Sequence, residues 1–505
     1  MSDTILDLFD EVVRTDPDVI AYVEGDRRMS FSEWAARADG LAGALADLGV
    51  ARGDVVGLQL PSSIDYAIAY QAIMRLGAIT SGINPRLGAH EVQAIVELSA
   101  PVAVIRDEAS AAAAIPSGPW AVLDRSFVAA APPGDPLRRR VEAEATDLVA
   151  IVWTSGTTGT PKGATFDHAC QQAVAEGGPP IAAWRDVRIS PLPFAHVGTM
   201  TRVWEELSLR ITTVIAPTPW TAEGALHLME RERVTVAQGV PTQYRLLMDH
   251  PSFATTDLSS LRVAGTGAAR VPPELVVEMK QRLGCPVTVR YSSTEAANGT
   301  GTRLDDPPDI VATTVGRPNG KIRLRLTDEH GNVLDEPGEV GTVNLFSRAR
   351  MRGYWHDDER TAAAITPDGW LVTGDLGWVG ADGNLRLVGR HHEMYIRGGY
   401  NVYPGEVENV LGGHPGVAGC AVLGAAATGD VRGIGEIGIV FCVPTDPDAP
   451  PGLDELRGYV KERLADYKAP DVLVLVDAIP VTSLGKPDKL ALRPRANEEA
   501  ASWRR

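Results

Sequence analysis

The stretch "DLVAIVWTSGTTGTPKG", residues 147–163, decides the fold. Its first seven residues, Asp147 to Trp153, form a short apolar run rich in β-branched side chains, the composition of a buried strand. The ten that follow, 154–163, hold three glycines, five hydroxyl side chains, one proline and one lysine. Glycines let backbone N–H groups approach an anion, hydroxyls add donors, and Lys162 adds a point charge. A strand that opens into such a loop places it where open α/β sheets bind ligands. The usual nucleotide loop has Gly-Lys followed at once by Ser or Thr. Here Lys162 lies between Pro161 and Gly163, so the loop is of another kind.

Strand and helix patterns alternate on both sides of this stretch. "SFSEWAARADGLAGALADLGV" (30–50) reads as a helix capped by Ser30 or Ser32, within a first fifty residues read as helix patterns joined by a short turn. "DVVGLQL" (54–60) and "PVAVIRD" (101–107) read as strands, and "IDYAIAYQAIMRLGAI" (64–79) as a helix. The alternation continues through "TTVIA", "VTVAQGV", "SSLRVAGTGAA" and "PVTVRYSSTEA" to residue 296. It predicts a parallel sheet with helices on both faces. Beyond residue 315, "KIRLRLTDEHGNVL" and "GEVGTVNLFS" predict a smaller β-rich subdomain. The last hundred or so residues predict an α+β domain of their own, with "GRHHEMYIRGGYNVYPGEVE" (389–408) at the junction. The Ala-rich segments 108–122 and 129–140 read as surface connections.

The chain has 505 residues, 44 % hydrophobic and 22 % charged, enough for more than one domain and ordinary for a globular protein. A net charge of -17 gives no overall attraction for nucleic acid or anionic lipid, so an anionic ligand needs a locally built site. Cys170, Cys285, Cys420 and Cys442 form no CxxC pair and read as free thiols in a reducing compartment. The N-terminal "MSDTILDLFDEVV" lacks the basic start and apolar run of a signal peptide, and no stretch reaches membrane-spanning length. The protein is read as cytoplasmic.

Other residues carry chemistry. In "RYSSTEA" (290–296), Glu295 ends a strand beside hydroxyls, suited to a Mg²⁺–phosphate complex; the plainer reading is a helix N-terminus capped by Thr294. In "TGDLG" (373–377), Asp375 suits ribose hydroxyls or is a turn aspartate. Arg390 and Lys486 lie near glycines and, taken singly, read as solvated cations.

Taken in order, "TSGTTGTPKG", "PLPFAHVGT", "RYSSTEA", "GEVGTVNLFSRARMRGYW", "TGDLG", "GRHHEMYIRGGYNVYP" and "TSLGK" resemble the acyl-adenylate-forming superfamily of acyl-CoA synthetases, adenylation domains and luciferases. The resemblance covers nearly the whole chain, and "RGGYNVYPGEVE" is most similar to bacterial fatty-acid, aromatic-acid and steroid-fragment CoA ligases. It implies an α/β fold with a large N-terminal domain (1–391) of parallel-rich sheets flanked by helices plus a small β-rich subdomain. A small mobile α+β C-terminal domain (392–505) would hinge near His392. It also implies two half-reactions: a carboxylate and Mg·ATP give acyl-AMP and pyrophosphate, then CoA displaces AMP. Thr154, Ser155, Gly156, Thr157, Thr158, Gly159 and Lys162 would hold the β- and γ-phosphates. Thr294 would meet the α-phosphate and Glu295 the Mg²⁺. Tyr291 would stack on adenine, beside Ser292 and opposite the backbone of Gly267, Ala268 and Ala269. Asp375 and Arg390 would bind the ribose, and Lys486 the α-phosphate and carboxylate oxygens. His196 would stand at the mouth of an acyl pocket with Val197, Gly198, Val240, Gly265, Ser292, Ala297 and Asn298. Gly398, Gly399 and Tyr400 would form the pantetheine passage.

Three positions depart from the family pattern. Ala195 replaces the usual Phe and would widen the acyl entrance; Ser292 replaces a Gly after the tyrosine; His392 replaces the usual Asp or Lys at the hinge. No aspartate stands at His196 to pair an α-amino group, which argues against a free amino acid. Small residues at Ala297, Gly299 and Gly301 suggest room for a bulky or long acyl group. The expected substrate is a fatty or alicyclic/aromatic carboxylate. Two alternatives stand beside the CoA ligase: an acyl-AMP ligase loading a carrier protein, and an inactive nucleotide-binding regulator. The sequence leaves the oligomeric state open, a homodimer included.

Overall fold

Helix Phe31–Asp47 begins where local chemistry directs it. The Ser30 side chain accepts from the Glu33 N–H while the Glu33 carboxylate accepts from the Ser30 N–H, so Ser30 rather than Ser32 is the cap. The computed structural model describes residues 3–135, 141–154, 161–177, 181–267, 271–390, 393–397, 400–426, 436–482 and 486–503. Ahead of this helix the expected turn is a hairpin, Ile20–Glu24 against Arg27–Ser30, with Gly25 at φ +57°. Only two residues separate its strands, too short a signal to stand out between two helical patterns.

The single parallel sheet expected from the alternation is two sheets. One has six strands in the order Ala121–Asp124, Ala103–Arg106, Val55–Gln59, Ile79–Gly82, Leu148–Thr154, Lys162–Asp167; all pair in parallel except the last. Ala121 and Val122, read as part of a surface connection, thus begin an edge strand. The other has nine strands, parallel from Val287–Tyr291 through Val263–Gly267, Val236–Gly239, Val187–Ser190 and Thr212–Ile215 to Ile20–Glu24, with antiparallel strands at both edges.

Helix Ile64–Arg75 is buried along its whole length. An all-round buried helix is one held between layers. It packs on Phe31–Asp47 and on strands of both sheets, tied by Trp34 Nε1 donating to Ala67 O (3.0 Å) and Tyr70 Oη donating to Met200 O (2.7 Å).

The β-rich subdomain is a five-stranded antiparallel sheet that ends in Leu371–Val379 and Leu385–Arg390. C-terminal to it, strands Val417–Ala426, Glu436–Pro444 and Val472–Leu475 form a separate three-stranded sheet. Helices Pro404–Gly412, Leu453–Lys461 and Lys489–Ser502 cover it around cores separate from the main one. Gly424 there has no alternative, because a Cβ would fall 2.1 Å from Tyr395 Cβ. Among the described residues no helix is long and apolar enough to cross a membrane.

Candidate active site

Lys162, His196, Val240 and Glu295 follow the carboxyl ends of parallel strands, where open α/β sheets bind ligands, and Asp375 and Arg390 lie on paired antiparallel strands. Strand Leu148–Thr154 is followed by an antiparallel strand, Lys162–Asp167, with Thr154 opposite Lys162. Loop residues Ser155, Gly156, Thr157, Thr158 and Gly159 lie outside the described residues. Lys162 Nζ stands 5.5 Å from the centre of the Tyr354 ring. The Tyr354 hydroxyl donates to Glu295 Oε1 at 2.9 Å. Tyr354 is pinned by its N–H to Thr361 Oγ1 (2.8 Å) and by a bridge to Ala164; Trp355 N–H donates to Gly163 O (2.7 Å) and Met351 N–H to Glu295 O (2.7 Å). Burial and the Glu295 charge raise the Tyr354 phenol well above its usual pKa, so it stays a donor. The segment Met351–Trp355 therefore ties the phosphate loop's lysine to Glu295. Nothing in the run around Tyr354 marks it for a role, because its partners stand far away along the chain.

The helix start weighed at Thr294 is not formed; residues 294–296 make a turn. Ser293 Oγ caps it by accepting from the Ala296 N–H (3.2 Å), and no described residue bonds the Thr294 hydroxyl.

Tyr291 ends its strand 8 % exposed and donates to Asp375 Oδ2 at 2.6 Å. Arg390 Nε lies 3.1 Å from Asp375 Oδ1, and the Asp375 N–H donates to Thr373 Oγ1. Gly267 lies beside this group; a Cβ there would meet Arg290 O at 2.4 Å. Ala268 and Ala269 lie outside the described residues.

Lys486 belongs to the C-terminal part yet stands in this same site. Burial and the repulsion of Arg390 lower its pKa, against the attraction of Asp375 and Glu295. Arg390 shows the complement: burial opposes its charge, but Asp375, Glu393, Tyr291 and Glu295 raise its pKa. His196 caps helix Val197–Met200, its Nδ1 accepting from the Gly198 N–H at 3.2 Å. Burial and then the Lys486 charge push its imidazole down to about 4, so it is neutral at physiological pH. Lys486, Glu295, Asp375, Arg390 and His196 thus form one electrostatic group drawn from five segments.

Of the expected pocket residues, Val197, Gly265, Ala297 and Asn298 are buried, Gly198 lies within helix Val197–Met200, Val240 follows strand Val236–Gly239, and Ser292 is exposed. Two expectations are corrected. Gly299 and Gly301 open no room for an acyl group: a Cβ at Gly299 would meet Tyr291 O at 2.5 Å, and Gly301 backbone packs against Gly316. Ala195 is interior, its Cα and O 3.3 Å from where a Cβ on Gly82 would stand, rather than at an entrance. Tyr400 is exposed and stacked on Tyr467, ring centres 4.5 Å apart. Gly398, Gly399 and His392 lie outside the described residues. Arg188, Arg202 and Arg290, behind the pocket, carried no sequence signal, because buried and surface arginines look alike in a sequence.

A sequence rich in glycine and hydroxyls after a parallel strand, a carboxylate, an Asp–Arg pair from the five-stranded sheet and a lysine from the C-terminal part are the features of an adenylate-forming ligase. The chain belongs to the AMP-binding enzyme family, whose model matches residues 9–355, and the AMP-binding enzyme C-terminal domain matches residues 406–486. It is 36 % identical, over 97 % of its own length and 98 % of the relative's, to a 3-[(3aS,4S,7aS)-7a-methyl-1,5-dioxo-octahydro-1H-inden-4-yl]propanoyl:CoA ligase of Mycobacterium tuberculosis. It is 32 % identical to a long-chain-fatty-acid–CoA ligase of the same organism, covering 94 % of this chain and 95 % of that one. The ATP-bound crystal structure of MatB from Rhodopseudomonas palustris superposes with a TM-score of 0.87 at 28 % identity, covering 99 % and 100 % of the two chains. The protein is an AMP-forming acid–thiol ligase, an acyl-CoA synthetase with ATP and CoA as substrates.

Proposed function

We propose that this chain activates a fatty or alicyclic/aromatic carboxylate in two half-reactions at one site. The carboxylate oxygen attacks the α-phosphorus of ATP, the bond to the β-phosphate oxygen breaks, and pyrophosphate leaves. The CoA sulfur then attacks the acyl carbonyl and AMP leaves. Lys486 neutralises charge gathering on the α-phosphate and carboxylate oxygens. Lys162 and the hydroxyls of 154–158 hold the departing pyrophosphate, and Thr294 donates to the α-phosphate. Tyr291 faces adenine; Asp375 and Arg390 fix the ribose, which orients the α-phosphate for attack. Neutral His196 borders the acyl carboxylate without competing for Lys486. Gly398, Gly399 and Tyr400 line the thiol's path, reached when residues 392–505 turn about His392.

Glu295 fits a Mg²⁺ site. It is a carboxylate at an open strand end, oriented by Tyr354, and Mg²⁺ takes one or two carboxylates with phosphate oxygens and water. Bound there, the ion would neutralise phosphate charge.

The observation that supports this reading most is Lys486 beside Arg390, Asp375, Glu295 and His196. The substrate class draws on the bicyclic propanoyl and long-chain fatty acyl groups in the relatives' names. The test is pyrophosphate release from ATP with a panel of carboxylates, with and without CoA. Thioester formed only with acid, ATP and CoA together supports it. Pyrophosphate without thioester would point to carrier-protein loading, and no pyrophosphate with any acid to a nucleotide-binding regulator.

A further inference from the structure

Behind the expected acyl pocket, a cluster of charges is buried on one face of the nine-stranded sheet. Arg188 and Arg290 rise from strands Val187–Ser190 and Val287–Tyr291; Arg202, Glu205 and Glu206 come from helix Val203–Leu209 and the residue before it. Arg188 Nη2 lies 2.6 Å from Glu205 Oε2, and Arg202 Nη1 lies 3.6 Å from Glu205 Oε1. Glu206 Oε2 accepts from the Tyr22 hydroxyl at 3.0 Å and Oε1 from Thr213 Oγ1 at 3.2 Å. Burial opposes the Glu205 charge, yet Arg188, Arg202 and Arg290 hold its pKa down to about 2. Burial pushes Glu206 the other way, toward its neutral form. Around these three guanidinium groups the close carboxylates are Glu205 and Glu206, with Asp186 adding its charge to Arg188 alone.

The excess falls on Arg290. No described residue gives Arg290 a carboxylate within ion-pair distance, and its Nη2 donates to the neutral Asn298 Oδ1 at 3.0 Å. Burial and the nearby Arg202 lower the Arg290 pKa to about 9, the response of an undercompensated cation. Arg202 Nη1, Arg188 Nε and the Thr288 hydroxyl are buried with no hydrogen-bond partner among the described residues. Thr288 and Arg290 alternate onto the same sheet face, and Thr288 Oγ1 lies 3.6 Å from the position a Cβ on Gly265 would take, with Gln238 Cγ at 3.8 Å. The bare Gly265 backbone leaves room for one methyl-sized group against Thr288 Oγ1, and Asn298, another expected pocket residue, touches Arg290. Buried donors without partners carry a desolvation cost that a bound acceptor removes.

We propose that Arg290, with Thr288 and Arg202, selects acids bearing a second oxygen acceptor, a ketone or carboxylate, at the end remote from the reacting carboxylate. The proposal rests on the acyl-activating reading above. A purely hydrocarbon tail would leave these donors unpaired, and discrimination by a site built to hydrogen-bond its substrate is steep.

The test compares pyrophosphate release, as kcat/KM, for three length-matched acids: an alkanoic acid, its terminal methyl ketone and its terminal carboxylate. One oxygenated acid should exceed the alkanoic acid at least tenfold, and whichever gains more identifies the group. Arg290→Met should bring that ratio near one. Thr288→Val, a near-isosteric change, should lower it several-fold and covers the case in which the arginine variant fails to fold, read by thermal melting. Equal or better use of the alkanoic acid by the unaltered enzyme, or an unchanged ratio in a folded Arg290→Met, would overturn the proposal. Absence of pyrophosphate with every acid would instead overturn the acyl-activating reading.

Discussion

At the residue scale, Lys486 and Tyr354 divide the charge work of the site. Lys486 is a cation held near Glu295 and Asp375 but repelled by Arg390, a tension that a phosphate between them would relieve. Lys486→Ala should lower acyl-AMP formation by about 10²–10³-fold. It should largely spare thioester formation from supplied acyl-AMP. Quenched-flow measurement of each half checks this, and equal loss in both would contradict the assigned role. Tyr354 orients Glu295 while its ring lies by Lys162. Tyr354→Phe keeps the ring and removes one hydrogen bond to a carboxylate. It should cost about tenfold in adenylation, from the worth of such a bond, and raise the Mg²⁺ concentration for half-maximal rate. An unchanged Mg²⁺ dependence would separate Tyr354 from the metal. Lys162 stood out in its run of glycine and hydroxyl residues, whereas Glu295, Asp375 and Lys486 could be singled out only from the order of the motifs that hold them. Tyr354 and Arg290 were not legible, because their significance lies in partners brought to them by the fold.

At the scale of elements, helix Ile5–Thr15 is tied to the core at both ends: the Ile5 N–H donates to His168 Nδ1 at 3.2 Å, and Thr15 Oγ1 accepts from Arg210 Nη2 at 3.1 Å. His168 begins helix His168–Glu176, which follows the strand carrying Lys162. Burial pushes its imidazole down to about 4, against the opposing pull of Asp147 and Asp167. The unfolded chain takes up this proton near pH 6.5, the native protein only near 4. Stability should therefore be full above pH 6.5 and fall as pH drops toward 4, by up to about 3 kcal/mol from this group. His168→Gln should flatten that part of the pH–stability curve in urea denaturation, whereas a parallel curve would exclude His168 as its source. Element prediction worked where periodicity was strong, as in Phe31–Asp47, Val55–Gln59 and Leu148–Thr154. It failed at Ile20–Ser30 and Ala121–Asp124, short strands whose identity comes from pairing with distant strands. The division into two sheets was equally hidden, since alternation records the succession of elements and not which strands pair.

At the scale of the molecule, the arrangement seen here brings Lys486 to Arg390, Asp375 and Glu295, the placement that the proposed first half-reaction uses. Where the C-terminal part meets the large domain, Gly413 faces helix Pro273–Leu283: a Cβ on Gly413 would lie 3.8 Å from Glu274 Oε1. Cysteines at these two positions can be joined by a short bismaleimide, which fixes the relative placement of the two parts. The joined protein should still release one equivalent of pyrophosphate from ATP and acid in a single turnover. It should form thioester from acyl-AMP and CoA at least 10-fold more slowly, an estimate from lids and domains whose movement limits turnover. The unlinked double variant is the control for the substitutions themselves. Cys170, Cys285 and Cys442 are buried and Cys420 is half-buried, so background labelling is measured on the unaltered chain. Full thioester formation by the joined protein would mean that both halves proceed in one arrangement and that rotation about His392 is not needed.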